Sequence, residues 1–263
     1  MDVVELLDFK SRMSLSLCSK CDREIVSNVP LFLDTLCFLQ VSRKGTIKCI
    51  IRYKSRDGYK DYICDLSLGT VLGFMKHPKS KIKTLDFQME SIRPEFFSSL
   101  AEKLKANKYK MRAEKVAFNG DVSNSRTALV LEILKLLDLE TLKTLHFGSI
   151  SSEEFFNELK NMELWKNLCG VSLDIESLKN SNLEDFLHLN QLILFGFKEL
   201  DEKNKAKIIE NFPAKTPPLA NSFFIIARKW ENWRLEGARR IRFEEYEMPT
   251  PENKSSGERD SGL

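Results

Sequence analysis

Residues 142–147, LKTLHF, contain the pattern that decides the fold of this chain: apolar residues at the first, fourth and sixth positions. The same pattern occurs four more times, as IKTLDF at 82–87, AEKVAF at 113–118, LCGVSL at 168–173 and LNQLIL at 189–194. An apolar residue at every second position, here the fourth and the sixth, is typical of a β-strand with one buried face. We therefore predict five short strands, and their central apolar residues are Leu85, Val116, Leu145, Val171 and Leu192.

Helix-like stretches fill the intervals between these segments, at 94–107, 125–137, 153–161, 183–187 and 201–211. Ser151 followed by Glu154 resembles a capping box at the start of the third stretch. A strand, a crossover helix and another strand give parallel strands, and spacings of 21 to 31 residues bracket those of leucine-rich repeats. We predict an α/β fold in which residues 80–215 form an irregular leucine-rich-repeat-like β/α solenoid.

The chain before these segments has two other patterns. Residues 3–26 have the apolar spacing of two short helices, with Asp8 and Ser11 as the start and stop signals between them. Residues 31–40, 46–54 and 59–66 have the alternation of strands, and the intervals between them end in glycine. These strands predict a small antiparallel β-meander.

The C-terminal part contains two further strand-like segments, 223–230 and 239–247, which predict a hairpin that caps the open end of the solenoid. From Pro249 onward the sequence is polar and has little to bury, which is typical of disorder. The predicted organisation is therefore helices at 1–28, a meander connector at 29–72, the repeat domain at 73–247 and a disordered tail at 248–263.

Composition narrows the classes of partner and the cell compartment. Hydrophobic residues make up 42% and charged residues 30% of 263 residues, which is typical of a folded protein. A net charge of +3 from 41 basic and 38 acidic residues favours neither nucleic acid nor a membrane surface as a partner. Asp2, Glu5 and Asp8 interrupt the first apolar residues, so we expect no secretion signal. The six scattered cysteines are then expected to be reduced thiols of an intracellular, cytoplasmic or nuclear protein.

A catalytic or metal-binding motif is not found in the sequence. The histidines at 77, 146 and 188 fall in separate parts of the chain with no common motif. Cys18 and Cys21 have the spacing of half a zinc site, but no second Cys or His pair follows at a suitable distance. Phosphate-binding glycine loops, nucleophile elbows and zinc-protease motifs do not occur. We therefore expect no catalytic residue, no metal and no cofactor.

Two stretches resemble known domains. Residues 3–21, VVELLDFKSRMSLSLCSKC, continuing to Ile25 and Val26, resemble the second half of an F-box, with an apolar helix end, a leucine–aspartate stop and a cysteine-containing helix end. Residues 139–147, LETLKTLHF, with LWKNL at 164–168 and VSL at 171–173, resemble the FTH domain, in which a Trp-Lys-Asn-type helix end precedes a strand.

In this order the two stretches are similar to the large nematode family of F-box proteins that carry an FTH domain. The FTH-like part extends over residues 80–215, whereas the F-box-like part is N-terminally incomplete. The Leu-Pro-containing first helix of that family's F-box is represented here by its last turn or two. Docking to the adaptor through the F-box is therefore expected to be weakened.

The resemblance implies a non-enzymatic protein-interaction module, the substrate-recognition subunit of a Skp–cullin–F-box ubiquitin ligase, with a Skp-type adaptor and a protein target as partners. The adaptor-binding residues that it implies are Val3, Val4, Leu6, Leu7, Phe9, Met13 and Leu17. Trp230 and Trp233, near the predicted hairpin turn, are candidate target-binding anchors, while Trp165 is expected in the core. Two alternatives stay open: an interaction protein without a ligase connection, whose N-terminal residues pack only on the meander, and an enzyme with an unrecognised site.

Overall fold

The computed structural model of the chain describes residues 7–41, 46–55, 58–108, 110–122, 124–174, 183–186, 188–195 and 222–226. The strands are β1 (Phe32–Val41), β2 (Thr46–Ser55), β3 (Gly58–Ser67), β4 (Lys81–Gln88), β5 (Ala113–Val122), β6 (Thr144–Ile150), β7 (Gly170–Asp174), β8 (Gln191–Phe195) and β9 (Ser222–Ile226). The helices are α1 (Phe9–Cys18), α2 (Lys20–Ser27), α3 (Leu68–Met75), α4 (Pro94–Asn107), α5 (Asn124–Lys135), α6 (Glu153–Asn161) and α7 (Glu163–Asn167), with a 3₁₀ turn at Leu183–Phe186. The chain is thus a mixed α/β protein.

All nine strands belong to one sheet, in the order β3-β2-β1-β4-β5-β6-β7-β8-β9. Strands β1, β2 and β3 pair antiparallel, which confirms the predicted meander. From β1 to β4 and onward to β9 every pairing is parallel. The meander therefore lies in the same sheet as the parallel strands, and both contribute to one continuous hydrophobic core.

The prediction of five parallel strands is confirmed. Their central apolar residues are buried register partners of one another across neighbouring strands. A second buried row follows two positions later and consists of Phe87, Phe118, Phe147, Leu173 and Leu194. These rows explain the pattern, because a parallel sheet in register brings the same position of each segment to the same face.

The connecting helices cover the face of the sheet to which these buried rows point. Phe97 of α4 contacts Phe87, with ring centroids 5.6 Å apart, and Phe155 of α6 contacts Phe147 at 5.7 Å. Helix α4 begins with proline at its first turn, and α6 is capped by Ser152, which accepts a hydrogen bond from the Phe155 N–H. The predicted cap Ser151 is therefore wrong by one residue. Helix α7 was not predicted from periodicity, since five residues are too few to show a period, but it agrees with the helix end at LWKNL that the FTH resemblance implied.

Two helices occupy the N-terminal part of the described chain, as predicted, but their junction is elsewhere. Asp8 caps α1 by accepting the Ser11 N–H at 2.8 Å, so Ser11 lies inside the first turn and is not a stop signal. The break comes at Ser19, which ends α1 and caps α2 by accepting the Asp22 N–H at 3.0 Å. Helix α3, which follows the meander, was not predicted.

The C-terminal predictions are partly covered by the described residues. Strand β9 overlaps the predicted segment 223–230, and it pairs in parallel with β8, continuing the order of the sheet. The helix-like stretch 201–211, the second hairpin strand 239–247 and the tail 248–263 lie outside the described residues. The leucine-rich-repeat-like character and the domain boundaries stay predictions. Among the helices that the structure describes, none combines the length and the apolar composition that crossing a membrane requires.

Candidate functional site

A groove of about 330 Å³ lies between α1, α2, α3 and the start of β1. Its lining includes the buried apolar residues Met13 and Val26 and two basic residues, Arg12 and Arg23. Helix α3 contributes small residues to the lining, Gly69 and Gly73 among them. An apolar groove with basic residues in its lining suits a partner that inserts an apolar side chain and carries acidic residues beside it.

Hydrogen bonds from two arginines hold the elements around the groove together. The Arg12 side chain donates from Nε to the Leu7 carbonyl oxygen at 3.1 Å and from Nη1 to the Pro30 carbonyl oxygen at 2.9 Å. Arg23 Nε donates to the Ser16 carbonyl oxygen at 3.3 Å, which links α2 to α1. Sequence reasoning missed both arginines, because their acceptors are backbone carbonyl groups that carry no residue signature.

The predicted adaptor-binding residues do not share one environment. Phe9 is buried against Tyr53 and Tyr62 of the meander, with ring centroids 5.7 Å and 6.0 Å away. Met13 is also buried in the chain's own core, whereas Leu7 is half-buried and the side chain of Leu17 is 72% exposed. The remaining members of the set, Val3, Val4 and Leu6, lie outside the described residues. In this conformation Leu7 and Leu17 are accessible to a partner, and Phe9 and Met13 serve the core.

The second candidate surface is the open face, which we define as the face of the sheet opposite the helices. In the described part of the chain, no helix packs on this face. Its central row consists of side chains that are consecutive register partners from β3 to β8: Ile63, Ile50, Cys37, Asp86, Ala117, His146, Ser172 and Ile193. Cys37 and Ala117 are buried yet do not belong to the hydrophobic core, in agreement with this orientation.

A polar network surrounds Asp86 in the central row. Its Oδ1 atom accepts hydrogen bonds from Asn119 Nδ2 at 2.7 Å and from Gln88 Nε2 at 3.1 Å, and Gln88 Nε2 lies 3.9 Å from Cys37 Sγ. Partial burial raises the pKa of the Asp86 carboxyl group, and the amide of Asn119 acts in the opposite direction. The sequence signal that was missed is an ionisable residue between two core residues, Leu85 and Phe87, in a strand.

His146 and Ser172 form a second polar pair in the central row. The His146 Nδ1 and Ser172 Oγ atoms are 2.9 Å apart. Partial burial lowers the pKa of the His146 imidazole, and the positive charge of Lys115 lowers it further. The imidazole is therefore favoured in its neutral form, in which it presents a flat, uncharged surface.

The remaining residues that the sequence singled out are tryptophans and cysteines. Trp165 is buried as predicted, and its Nε1 donates to the Asp185 carbonyl oxygen at 3.2 Å. Cys18 and Cys21 are exposed near the α1–α2 junction, and the described residues contain no group of three or more His, Cys, Asp or Glu side chains that could hold a metal. Trp230 and Trp233 lie outside the described residues, so their role stays a prediction.

Comparison with known protein families assigns both parts of the chain. The F-box domain family matches residues 1–34, which include α1, α2 and most of the residues that line the groove. The FTH domain family matches residues 94–229, from α4 past β9. Neither the curated protein sequences nor the solved structures contain a match to the chain. Both families are generally non-catalytic interaction modules. Because the FTH match covers more than half of the sequence, the chain belongs to the family of FTH-domain proteins, here with an F-box domain at the N-terminal side.

Proposed function

We propose that this protein is the substrate-recognition subunit of a Skp–cullin–F-box ubiquitin ligase and acts without a catalytic site of its own. The observation that carries the proposal is that its two candidate surfaces share one sheet and one hydrophobic core. The groove belongs to the F-box-matched helices, and the open face belongs to the parallel strands. One continuous core extends from Phe9 to Leu194, so a partner at one surface is held at a defined position relative to a partner at the other.

In this proposal a Skp-type adaptor binds at the α1–α2 side of the groove. Leu17 on α1 lines the groove and is an exposed apolar residue. Ile25 on α2 is 51% exposed. Exposed apolar side chains beside an apolar groove are typical of a docking surface. The guanidinium groups of Arg12 and Arg23 then favour an acidic adaptor surface over a basic one.

The target protein is proposed to bind the open face. The parallel strands and their helices then act as an irregular leucine-rich-repeat-like solenoid, whose broad sheet surface suits contact with another protein. The partners are a Skp-type adaptor and a protein target, and nucleic acid and membranes are not among them. The expected compartment is the cytoplasm or the nucleus, where ligases of this kind work.

Titration calorimetry of the full chain with a purified Skp-type adaptor tests the adaptor half of the proposal. Leu17→Asp and Ile25→Asp should each weaken binding at least about tenfold, because each places a charge in a desolvated apolar contact. Ile63→Asp is the matched control, since Ile63 is 61% exposed but lies on β3 at the open face. The adaptor role is contradicted if the chain does not bind, or if all three variants bind like the native chain.

A second candidate is an interaction protein without a ligase connection. The burial of Phe9 and Met13 in the chain's own core favours it, because these residues of the F-box-like set serve folding. The calorimetric experiment separates the two functions. An absent adaptor interaction, together with target binding at the open face, would support the second candidate.

A further inference from the structure

Asp86 is the negatively charged residue of the central row of the open face. It stands on β4, between Cys37 of β1 and Ala117 of β5. Both amide hydrogen bonds that it accepts go to the same carboxylate oxygen, Oδ1. The Cys37 thiol is a third hydrogen-bond partner, and all three donors are neutral. None of the salt bridges of the described residues includes Asp86. A carboxylate accepts about four hydrogen bonds, so this half-buried group retains the capacity for a charged donor.

The small side chain of Ala117 separates Asp86 from His146 in the central row, and this difference in side-chain size implies a shallow hollow above Ala117. The three residues are consecutive register partners on β4, β5 and β6. With strands spaced about 4.8 Å apart, the Asp86 and His146 positions are separated by roughly 10 Å. The small side chain of Ala117 forms the floor, the carboxylate forms one wall, and the imidazole held by Ser172 forms the other.

A planar guanidinium group matches this hollow. It can donate two parallel N–H bonds to a carboxylate, and it stacks on flat rings such as a neutral imidazole. A lysine ammonium has neither property, because it is a compact point charge. We propose that an arginine side chain of the target protein binds in the hollow between Asp86 and His146. This inference rests on the proposed function, in which the open face contacts the target.

The other charged groups of the open face set the local electrostatic balance. Asp61 is paired with Arg52 at 2.8 Å and Asp34 with Lys83 at 3.3 Å, so these four groups largely neutralise one another. Lys115, exposed on β5 in the row next to Ala117, is the cation that opposes an incoming guanidinium group. We therefore expect arginine to bind more weakly when Asp86 loses its charge and more tightly when Lys115 loses its charge.

Peptides selected from a random library displayed on phage, with the full chain immobilised, provide the probes. Selected peptides should contain arginine, and fluorescence anisotropy should show at least about tenfold weaker binding when that arginine is replaced by citrulline, which keeps its shape without its charge. Asp86→Asn should cause a similar loss. The two changes together should cost little more than either alone, because they remove the same contact.

Three further variants make the result decisive. Asp65→Asn, which removes a carboxylate from β3, should leave binding unchanged, and Lys115→Gln should tighten it. Asn keeps the acceptor oxygen of Asp86, so a thermal melt should show that Asp86→Asn folds normally. Thr144→Trp places a bulky side chain on the open face and should block all binding there. Peptides blocked by Thr144→Trp but indifferent to Asp86→Asn would overturn the arginine inference alone, whereas peptides indifferent to both would contradict the open-face function as well.

Discussion

The rings of Phe87 and Phe118 stack on neighbouring strands, with centroids 5.1 Å apart and planes inclined by 10°. Phe118 stacks in the same way on Phe147 at 5.4 Å, and Phe87 on Phe38 at 5.2 Å. The result is an aromatic ladder from the antiparallel meander into the parallel strands. Its members are fully buried, so the ladder joins the two parts of the sheet through side chains as well as through backbone hydrogen bonds.

Phe118→Ala is expected to lower the free energy of unfolding by about 3–5 kcal/mol, since it removes a ring from the middle of this ladder and leaves a cavity. Urea denaturation followed by circular dichroism measures the change. Phe32→Ala is the matched control, because the Phe32 side chain is 63% exposed and should cost little. Equal destabilisation by the two variants would contradict the ladder's place in the core.

Gly148→Ala is expected to destabilise the protein by roughly 1–3 kcal/mol through overpacking. A Cβ atom at Gly148 would lie 2.6 Å from the backbone nitrogen of Gly120, whose φ of +105° already requires glycine. Gly73→Ala in α3 is the control, because its Cβ would meet nothing within 4 Å. That substitution should be neutral or stabilising by up to about 1 kcal/mol. The melting temperature should therefore fall for Gly148→Ala and stay the same or rise for Gly73→Ala.

The partial burial of His146 makes stability sensitive to mild acid. Because its pKa is lowered in the folded state, the unfolded chain binds the proton first as the pH falls. Stability is therefore lost as the pH falls below about 6.5 toward the folded-state pKa. His146→Gln, which keeps a partner for Ser172, should reduce this loss in melts between pH 7 and pH 5. His77→Gln leaves His146 in place and should retain it, and an unchanged pH profile for His146→Gln would be evidence against the assignment.

The thiols should react with Ellman's reagent in two classes. Cys18, Cys21 and Cys169 are exposed and should react rapidly. Burial raises the pKa of Cys37 and of Cys64 to about 11, and raises that of Cys49 as well, so these three should react slowly until the protein unfolds. A Cys18→Ser, Cys21→Ser double variant should lose two rapid equivalents. Rapid labelling of Cys49 in the native protein would show that the meander opens.

Local periodicity predicted the strands well, because the buried rows of a parallel sheet repeat the same short pattern. Leu145 and Val171 occupy the same position of the pattern in neighbouring strands, and both are buried. The local pattern predicts this burial without reference to residues that are distant in the sequence. Helix α3 escaped prediction because LGTVLGFM contains two glycines and is apolar on all sides, which leaves no polar face to mark a helix. Its packing on the core, through Val71 and Leu72, overrides its weak helix propensity.

The candidate surfaces could be predicted less well, because they depend on residues that are far apart in the sequence. Asn119 meets Asp86 across two strands, and Arg12 meets the Pro30 carbonyl group across a helix and a turn. The pattern of residues 3–17 marked an apolar helix face but could not say whether that face packs inward or binds a partner. Phe9 and Leu17 show both outcomes on the same helix.

From β4 to β9 the spatial order of the strands follows their order in the chain. Strands β5 to β8 each pair with the strand before and the strand after them in the chain, so duplication or loss of one of these strand-helix units would leave the other pairings intact. Every added unit would widen the array by about 4.8 Å. Gain or loss of a whole unit would therefore change the width of the open face and leave α1 and α2 untouched.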